Sequence, residues 1–569
     1  MNQTKAIANI EVEDIDHLGI IAGIIDDIGI VDIINKRVGE HSQEQVSAGH
    51  VVKALILNCM GFLSAPLYLF HQFFIGKGTE HLLGDGIKAE YLNARRIGRV
   101  LDKLYQQGIT TIFMIVAVSA VQKFGVSMAS VHGDSSSFYV HGEYDTDENK
   151  STPETQEIAK SQAPPAQETP ESDFVPVEIV RGYSRDHRPD LKQFTLNLIT
   201  SSDGDIPLGL RVGNGNEVDS QVLVPFMKQW RESWEDLGAQ PPQVMAADAA
   251  LFTAENLSIL GELPWISRVP ASIAAAKRLM QTQPMSQFQP FATIRLKDYR
   301  FCEVCSWYGG VPQRWIMLES QSRLEADLKK LDKTLEQETK KQRKALDVLA
   351  VQANACEADA LTAAQAFAKN LTFHQLESVD IEAKPHYEKQ GRPAKDEHPR
   401  HFSFHVKAQL SLNRDVVQAH RTQAGRFIVA TNILDALTWS NDKVLLEYKD
   451  QTCERGFRFL KDPLFFVSRL FLKSPKRIMV LMMVMSLALL VYAIGQRQMR
   501  QSLTEAQATL PDQKGKPTAR PTLRWLCQCF LSVHLVWVDG IKTLIKLSDS
   551  QRLILQFLSP NSRKYYLLC

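Results

Sequence analysis

The sequence has almost no excess of either charge. Its 569 residues include 65 Lys and Arg against 64 Asp and Glu, so the formal net charge at pH 7 is only +1. A chain that is basic throughout is therefore excluded, and any surface that binds an acidic partner has to be local. The 44% hydrophobic and 23% charged content is typical of a soluble globular protein.

Close cysteine pairs and secretory features are also scarce. The eight cysteines are scattered, and only Cys302 with Cys305 and Cys527 with Cys529 are near neighbours. A single CxxC without a second pair or histidine partners is weak evidence for zinc, and reduced cytosolic thiols are expected instead. The first residues, MNQTKAIANIEVED, have no basic segment followed by an apolar core. We therefore predict no secretory signal and a cytoplasmic protein.

Long apolar runs are limited to one segment, residues 478–494, which is flanked by Lys476, Arg477 and Arg497. Its length of about 17 residues is at the short limit for a membrane span. It also contains Ser486 and several methionines. We predict a buried core helix and no membrane partner, with a membrane span as the alternative.

The two ends of the chain and one internal stretch differ from the middle in composition. Residues 1–122 are predicted to be helical, with Ser47 capping one helix. An arginine-rich helix over 93–107 makes this region a candidate DNA-binding domain, although a solvated charged face explains the same residues. Residues 145–176 are acidic and rich in Pro and Gln, which predicts a flexible loop. Residues 501–569 form a basic C-terminal region.

Strand and helix patterns alternate between these regions. In chain order the predictions are a strand over 128–140, a hairpin over 194–212, a helix over 219–237, a strand over 244–247, a helix from Thr253, and a strand over 264–269. This order is similar to an RNase H-like fold. We assign residues 123–292 to the first part of such a core and residues 421–500 to its second part.

An insertion is predicted to separate the two parts of the core, over residues 293–420. It begins with strands between 293 and 318 and continues as a highly charged helix over 322–371. Leu324, Leu328, Leu331 and Leu335 occur there at coiled-coil spacing. Because a helix charged on most sides cannot pack inside a core, we expect a subdomain outside it.

Three carboxylates occur at element positions that suit a shared site. Asp134 lies on the first predicted strand, Asp248 follows the strand over 244–247, and Glu454 lies on a helix predicted over 443–460. On that helix Glu454, Arg458 and Lys461 share one face at about 100° per residue. A few carboxylates plus a substrate phosphate are sufficient ligands for Mg²⁺. An amphipathic helix with an i, i+4 ion pair is the alternative for this face.

The segment YKDQTCERGFRFLKDP, which begins at Tyr448, resembles the Y-R-E-K signature of the IS-four-like group of DDE transposases from bacterial insertion sequences. Glu454 and Lys461 have the spacing of that signature, whereas Tyr448 is one residue closer to Glu454 and Gln451 stands where Arg is usual. The segments GDSSSFYVHGEY with Asp134, GYSRDHRPDLKQ over 182–193, and ADAALF with Asp248 also look like this family.

The resemblance implies an α/β protein with an RNase H-like catalytic core, a strand-and-helix insertion, and helical N-terminal and C-terminal regions. It implies that Asp134, Asp248 and Glu454 are catalytic and hold two Mg²⁺ or Mn²⁺ ions. The residues implied to contact DNA are Tyr448, Arg458, Lys461, Arg188 and Lys192.

The activity implied is that of a transposase, a metal-dependent DNA nuclease and strand transferase. It would bind the terminal inverted repeats of an insertion sequence, nick the DNA to free 3′-hydroxyls, and join those ends to target DNA. The partner implied is double-stranded DNA, bound by a homodimer in the cytoplasm at the nucleoid.

Two alternatives remain on the sequence alone. The shortened spacing from Tyr448 to Glu454 keeps open a catalytically inactive, transposase-derived DNA-binding protein. The apolar run over 478–494 and the leucine repeat keep open a membrane or coiled-coil scaffold, which leaves the three ordered carboxylates unexplained.

Overall fold

The structure is a computed structural model that describes residues 10–40, 43–61, 70–141, 144, 175–388, 398–450, 452–462, 474–538, 541–545 and 547–567. The predicted loop over 145–176 lies outside the described residues except for its last two positions, and so does Gln451. The chain forms two compact units. One comprises Met1–Ser267, Gly309–Val311 and Glu447–Cys569, and the other comprises Arg268–Tyr308 and Pro312–Leu446.

The strands are numbered in chain order. They are β1 (Ile10–Asp14), β2 (Ser130–Val140), β3 (Lys192–Ser201), β4 (Pro207–Gly213), β5 (Val244–Ala247), β6 (Trp265–Val269), β7 (Gln289–Pro290), β8 (Tyr299–Tyr308), β9 (Val311–Ser320), β10 (His374–His386), β11 (His401–Leu412), β12 (Arg426–Thr431), β13 (Leu510–Pro511), β14 (Pro517–Thr518), β15 (His534–Val538) and β16 (Ile541–Leu544).

The helices are numbered in the same way. They are α1 (Leu18–Ile28), α2 (Ile30–Val38), α3 (Ala48–Met60), α4 (Phe70–Phe73), α5 (Thr79–Leu83), α6 (Ala94–Gln106), α7 (Ile109–Phe124), α8 (Asp219–Asp236), α9 (Ala254–Leu260), α10 (Ala274–Thr282), α11 (Gln321–Val351), α12 (Glu357–Lys369), α13 (Arg414–Gln423), α14 (Asn441–Lys449), α15 (Thr452–Leu460), α16 (Pro475–Glu505), α17 (Leu523–Cys529), α18 (Asp549–Gln556) and α19 (Pro560–Lys564).

A mixed sheet forms the centre of the first unit, with its strands in the order β4-β3-β2-β5-β6. Strand β3 is antiparallel to both β2 and β4, whereas β2, β5 and β6 are parallel to one another. Almost every residue of β2, β3 and β5 is buried. Burial along the whole length of these strands means that both faces of the sheet are covered. The protein is therefore a mixed α/β protein with a large mixed sheet.

Helix α16 is the core helix of the first unit. Among the described residues it is the one single helix long and apolar enough to span a membrane, with a mean hydropathy of 2.5 over an 18-residue window that is 94% buried. Helices α6 and α7 pass the same test only as a pair, and they are bent by 87°. The burial of α16 agrees with the core helix predicted over residues 478–494. The observed helix is longer than that segment, with 31 residues.

The N-terminal helices pack against α16. Helices α1, α3, α6 and α7 all contact it, and a side chain at Gly495 would meet Ile24 at 2.5 Å. Strand β1 also pairs with β15 from the other end of the chain. The described part of residues 10–122 is mostly helical, and it shares the hydrophobic core of the first unit because its apolar faces are covered by α16.

In the second unit the strands run in the order β12-β9-β8-β7, and β10 and β11 form a separate two-stranded sheet. The single charged helix predicted over 322–371 is instead two helices, α11 and α12. Helix α11 ends before Gln352, and Cys356 caps α12, so five residues separate the two helices. Because of this break, the two helices cover β10 and β11 through a small apolar cluster: Leu346, Leu349, Ala360, Ala364 and Val406.

The limits of the second unit differ from those of the insertion predicted over 293–420. Strand β12 pairs along β9 from Arg426 opposite Glu319 to Thr431 opposite Arg314. The segment from residue 421, which is predicted to begin the second part of the core, therefore belongs to the second unit. Its strand β12 pairs there with a strand that precedes it in the chain. The chain returns to the first unit only at Glu447.

Candidate functional site

The two candidate aspartates are brought together by the register of two parallel strands. Gly133 of β2 lies opposite Ala247 of β5 in the ladder. The next residue on each strand is Asp134 and Asp248, so the two carboxylates follow adjacent ladder positions where β5 ends. Because side chains at one level of a parallel ladder lie side by side, the aspartates are placed next to each other.

Helix α15 carries Glu454 to the same place. Its buried residues are Thr452, Cys453, Gly456, Phe457 and Leu460, at helical spacing on one face. The Cys453 thiol donates to the carbonyl oxygen of His132 at 3.0 Å, which fixes the start of the helix against β2. A side chain at Gly456 would meet Leu489 at 3.1 Å, so glycine allows close packing there. Glu454 consequently lies on the open side of the first turn.

These residues border a cavity of about 290 Å³, which we call the carboxylate cavity. Its lining residues are His132, Gly133, Asp134, Ala246, Ala247, Asp248, Tyr448, Cys453 and Glu454. All three carboxylates predicted from the sequence are therefore brought to one cavity, together with Tyr448.

The electrostatics of this cavity are set by the aspartate pair. The Asp134 side chain keeps 28% of its exposure. Removal from water, which has the largest effect, and the neighbouring Asp248 carboxylate together raise the pKa of Asp134 to about 7. The Arg185 guanidinium acts in the opposite direction. Near neutral pH the pair therefore holds either a proton or a bound cation more readily than an ordinary exposed carboxylate does.

Arg185 and Asp219 belong to this site and were not among the residues predicted from the sequence. The Arg185 guanidinium donates to the carboxylate of Asp219 and to the carbonyl oxygen of Ser135. Its Nη1 lies 3.7 Å from Oδ1 of Asp134. The resemblance over 182–193 predicts Arg188 and Lys192 as DNA contacts and does not single out Arg185.

A second unpredicted pair lies beside the aspartates. His132 Nε2 is 2.9 Å from Oε1 of Glu447, and the Ser130 hydroxyl donates to the same oxygen. Alternation along β2 places Ser130, His132 and Asp134 on one face of the sheet. In the sequence, this alternation of polar residues along a strand is the pattern that indicates His132 as a neighbour of Asp134.

The helix predicted over 443–460 is broken in the structure. Helix α14 ends at Lys449 and α15 begins at Thr452. Arg458 forms an i, i+4 ion pair with Glu454 at 3.0 Å. Lys461 follows the last residue of α15, and its ammonium group lies 2.9 Å from the Asp186 carboxylate. Because Asp186 holds this side chain, Lys461 does not border the carboxylate cavity. The prediction that Lys461 shares one helix face with Glu454 and Arg458 is therefore wrong.

Arg188 and Lys192, which are also implied to contact DNA, lie outside the cavity lining. Arg188 pairs with Asp190 at 2.8 Å and stands over the ring of Tyr139. Lys192 donates to the carbonyl oxygen of Tyr144 at 2.8 Å. These contacts give both cations structural partners within the chain.

Three arginines between residues 477 and 524, within and before the basic C-terminal region, are neutralised by distant carboxylates. The ion pairs, at 2.7 to 2.8 Å, are Arg477 with Asp102, Arg497 with Asp203, and Arg524 with Asp462. The local excess of positive charge along the sequence is therefore smaller in three dimensions than the sequence predicts.

The donor set suits a magnesium ion in part. Within the described ranges, no group of three or more His, Cys, Asp or Glu side chains is arranged as a ready metal site. The Glu454 carboxylate is engaged by Arg458. However, Mg²⁺ keeps several waters and uses one or two protein carboxylates together with substrate phosphate. Asp134 and Asp248 fit that requirement, and Glu454 would join them only by leaving Arg458.

Comparisons with known proteins give limited matches. A family model described as a domain of unknown function, DUF4277, matches residues 10–118. No curated protein matches the chain. Among solved structures, the chain is similar to a piggyBac transposase in its synaptic complex with hairpin DNA, with 6% identity and a TM-score of 0.37 over 98% of this chain and 84% of that one. A likeness of that degree carries no argument about activity.

Proposed function

We propose that this protein is a DDE transposase that uses Mg²⁺ or Mn²⁺ to nick DNA and join the freed 3′-hydroxyls to a target. The observation that carries the proposal is the pair formed by Asp134 and Asp248. They stand at adjacent positions of two parallel strands and share one cavity with Glu454. The resemblance of the segment from Tyr448 to Lys461 to the IS-four-like signature supports the same reaction.

The proposed chemistry assigns a role to each side chain at the cavity. Divalent ions, when bound, would activate the attacking oxygen and stabilise the leaving oxygen of an in-line phosphoryl transfer. Asp134 and Asp248 would hold the ions, and Glu454 would complete the set. Arg185 would position the Asp134 carboxylate and favour its ionised form, because it lies 3.7 Å away. Tyr448, which borders the cavity, would contact the DNA.

The proposal also includes a core fold, DNA partners and a cellular location. The mixed sheet of the first unit, with its antiparallel hairpin beside parallel strands, is consistent with an RNase H-like core. The partners proposed are terminal inverted repeats and target DNA, bound by a homodimer in the bacterial cytoplasm at the nucleoid. Tyr448 and Arg458 are the predicted DNA contacts that remain closest to the carboxylates.

A second candidate is a DNA-binding relative that no longer cuts. The ion pair between Glu454 and Arg458 favours it, because this bond engages the third carboxylate. Both candidates bind DNA, so only a cleavage measurement separates them.

The test is nicking of a labelled duplex that carries the inverted repeats flanking the gene. We expect Mg²⁺-dependent nicking by the wild-type chain and its loss in Asp134→Ala, Asp248→Ala and Glu454→Ala. DNA binding measured in Ca²⁺ should remain in all three, because removing carboxylates does not weaken phosphate contacts.

Glu262→Ala is the matched control, since Glu262 is an exposed carboxylate outside the cavity. It should nick at the wild-type rate. Wild-type protein that binds but never cuts would establish the inactive relative. Cutting that survives Asp134→Ala and Glu454→Ala would contradict the assigned site.

A further inference from the structure

A second and larger cavity in the first unit is lined by arginines. Its volume is about 640 Å³, within the range of small-ligand sites. Helices α15 and α16, the first turn of α17 and the residues just before it contribute to the wall of this cavity. We call it the arginine cavity, after its five arginines: Arg455, Arg458, Arg500, Arg520 and Arg524.

The carboxylates at this cavity are already committed to other arginines. Asp205 and Asp450 both bind Arg455, at 2.6 and 2.9 Å. Asp462 binds Arg524 at 2.7 Å. All three aspartates that line the cavity are therefore used by two of the five arginines.

Arg500 and Arg520 are left without a carboxylate partner within 4.0 Å among the residues that the structure describes. Arg500 donates through Nε to the carbonyl oxygen of Pro521 at 3.1 Å, which satisfies a donor but supplies no negative charge. The pKa of Arg500 is lowered, first by burial and then by the neighbouring Arg520. Two like charges thus face one another at a partly desolvated position, which a bound anion would relieve.

The shape of the arginine side chain indicates which anion would fit this cavity. A guanidinium presents a planar fork that matches phosphate oxygens in a bidentate way, and it is the preferred cation where phosphate is held. The cavity is also bordered by Phe459 and Tyr492, whose rings lie 4.7 Å apart at an angle of 48°. Aromatic rings beside a cationic wall are the combination that binds nucleotide units, by stacking and phosphate contact.

We propose that the arginine cavity binds a phosphate group of a nucleotide unit, with Arg500 and Arg520 as the phosphate ligands. The unit comes either from a single DNA strand or from a free nucleotide, and the same groups would recognise both. This inference goes beyond the proposed metal-dependent reaction, because it concerns different residues and requires no divalent ion.

The experiment uses the full chain in EDTA, so that the carboxylate cavity takes no part. Binding of three probes is measured by calorimetry or fluorescence anisotropy: inorganic phosphate, deoxyadenosine monophosphate, and a short single-stranded thymidine oligonucleotide. We expect Arg500→Gln combined with Arg520→Gln to weaken binding by about tenfold or more, because each removes a charged hydrogen bond. The salt slope for the oligonucleotide should become shallower by about 0.7, because one phosphate contact on a single strand is lost.

The matched control is Lys329→Gln combined with Lys330→Gln, which removes the same charge from exposed positions on α11. It should bind all probes as the wild type does. Circular dichroism and thermal unfolding establish that each variant is folded. If the double arginine variant does not fold, Arg520→Gln decides alone, since Arg520 is exposed.

Tighter binding of the oligonucleotide than of the mononucleotide would identify a DNA strand as the source of the phosphate, and the reverse order would identify a free nucleotide. The proposal is overturned if wild-type protein binds none of the probes. It is also overturned if the arginine variant binds them unchanged, or if the lysine control loses as much affinity. None of these outcomes depends on nicking, so failure here is distinct from failure of the proposed reaction.

Discussion

The carboxylate cavity and the arginine cavity carry unbalanced charge of opposite sign, and the same short helix contributes to both. Glu454 of α15 borders the first, whereas Arg455 and Arg458 border the second. In one, Asp134 faces Asp248; in the other, Arg500 faces Arg520. In both, like charges are gathered at a place where burial strengthens their repulsion.

The direction of the pKa shift in each cavity indicates the partner that is required. Burial and a neighbouring carboxylate raise the pKa of Asp134 to about 7, whereas burial and a neighbouring guanidinium lower the pKa of Arg500. Each shift favours the less charged form, which means that an ion of opposite sign would stabilise the ordinary charged form. The difference therefore supports a cation in one cavity and a phosphate in the other.

The largest further effect is expected from Arg185→Gln, which makes the carboxylate cavity more negative. Residues that orient metal ligands typically change activity by about 10- to 100-fold when replaced, and we expect a loss of nicking in that range. Arg185 lowers the pKa of Asp134, so its removal should shift the acidic limb of the pH profile to higher pH. The measurement is the nicking rate at saturating DNA from pH 5.5 to 9.

Arg211→Gln is the control, because Arg211 is likewise partly buried and paired with a carboxylate, that of Glu217 at 2.8 Å. It should leave the pH profile in place. A profile that does not move in Arg185→Gln would mean that Arg185 does not act on Asp134.

A smaller effect is expected on stability from Asp134→Asn. Between about pH 4 and pH 7 the folded protein holds a proton on Asp134 that the unfolded chain releases, so wild-type stability falls as the pH rises through that window. Asparagine removes this dependence. In EDTA we expect it to raise the free energy of unfolding at pH 8 by about 1–3 kcal/mol, with little gain at pH 4.

Urea unfolding at the two pH values measures this difference. Glu262→Gln, at an exposed carboxylate outside the cavity, should show no comparable change. An equal gain from Asp134→Asn at both pH values would show that the carboxylate is not held in an unfavourable charged state.

The smallest effect is a coupling between the two cavities through the ion pair of Glu454 and Arg458. If a metal ion draws Glu454 toward the aspartates, Arg458 is released to the arginine cavity. Saturating Mg²⁺ should then strengthen binding of the mononucleotide about two- to fivefold, near the lower end of ordinary coupling energies. The measurement is a titration with Mg²⁺ or with EDTA.

Glu454→Gln supplies the comparison for that titration. It removes the carboxylate that links the cavities, so Mg²⁺ should no longer change the affinity beyond its own weak association with the nucleotide. The same enhancement in wild type and variant would show that the two cavities are independent.

The sequence by itself determined much of the local structure. The strand over 244–247, the cap residue Ser47 and the start of a helix at Thr253 have the positions that their patterns predict. These features depend on alternation, periodicity and a side-chain bond to a nearby backbone amide, all of which act within a few residues. The three candidate carboxylates were found for the same reason, since each follows or occupies a recognisable element.

Only the tertiary structure decided which groups face one another. The register of β2 on β5 places Asp134 beside Asp248. Packing brings Arg185 to these aspartates, although the sequence pattern of its segment indicates Arg188 and Lys192 as the functional residues. Packing also decides the charge balance. Arg497 finds Asp203 across 294 positions of the chain, whereas Arg500, three residues further on, meets Arg520 instead. Such partners are set by how helices and strands pack, because ion pairs act across space and leave no fixed spacing in the sequence.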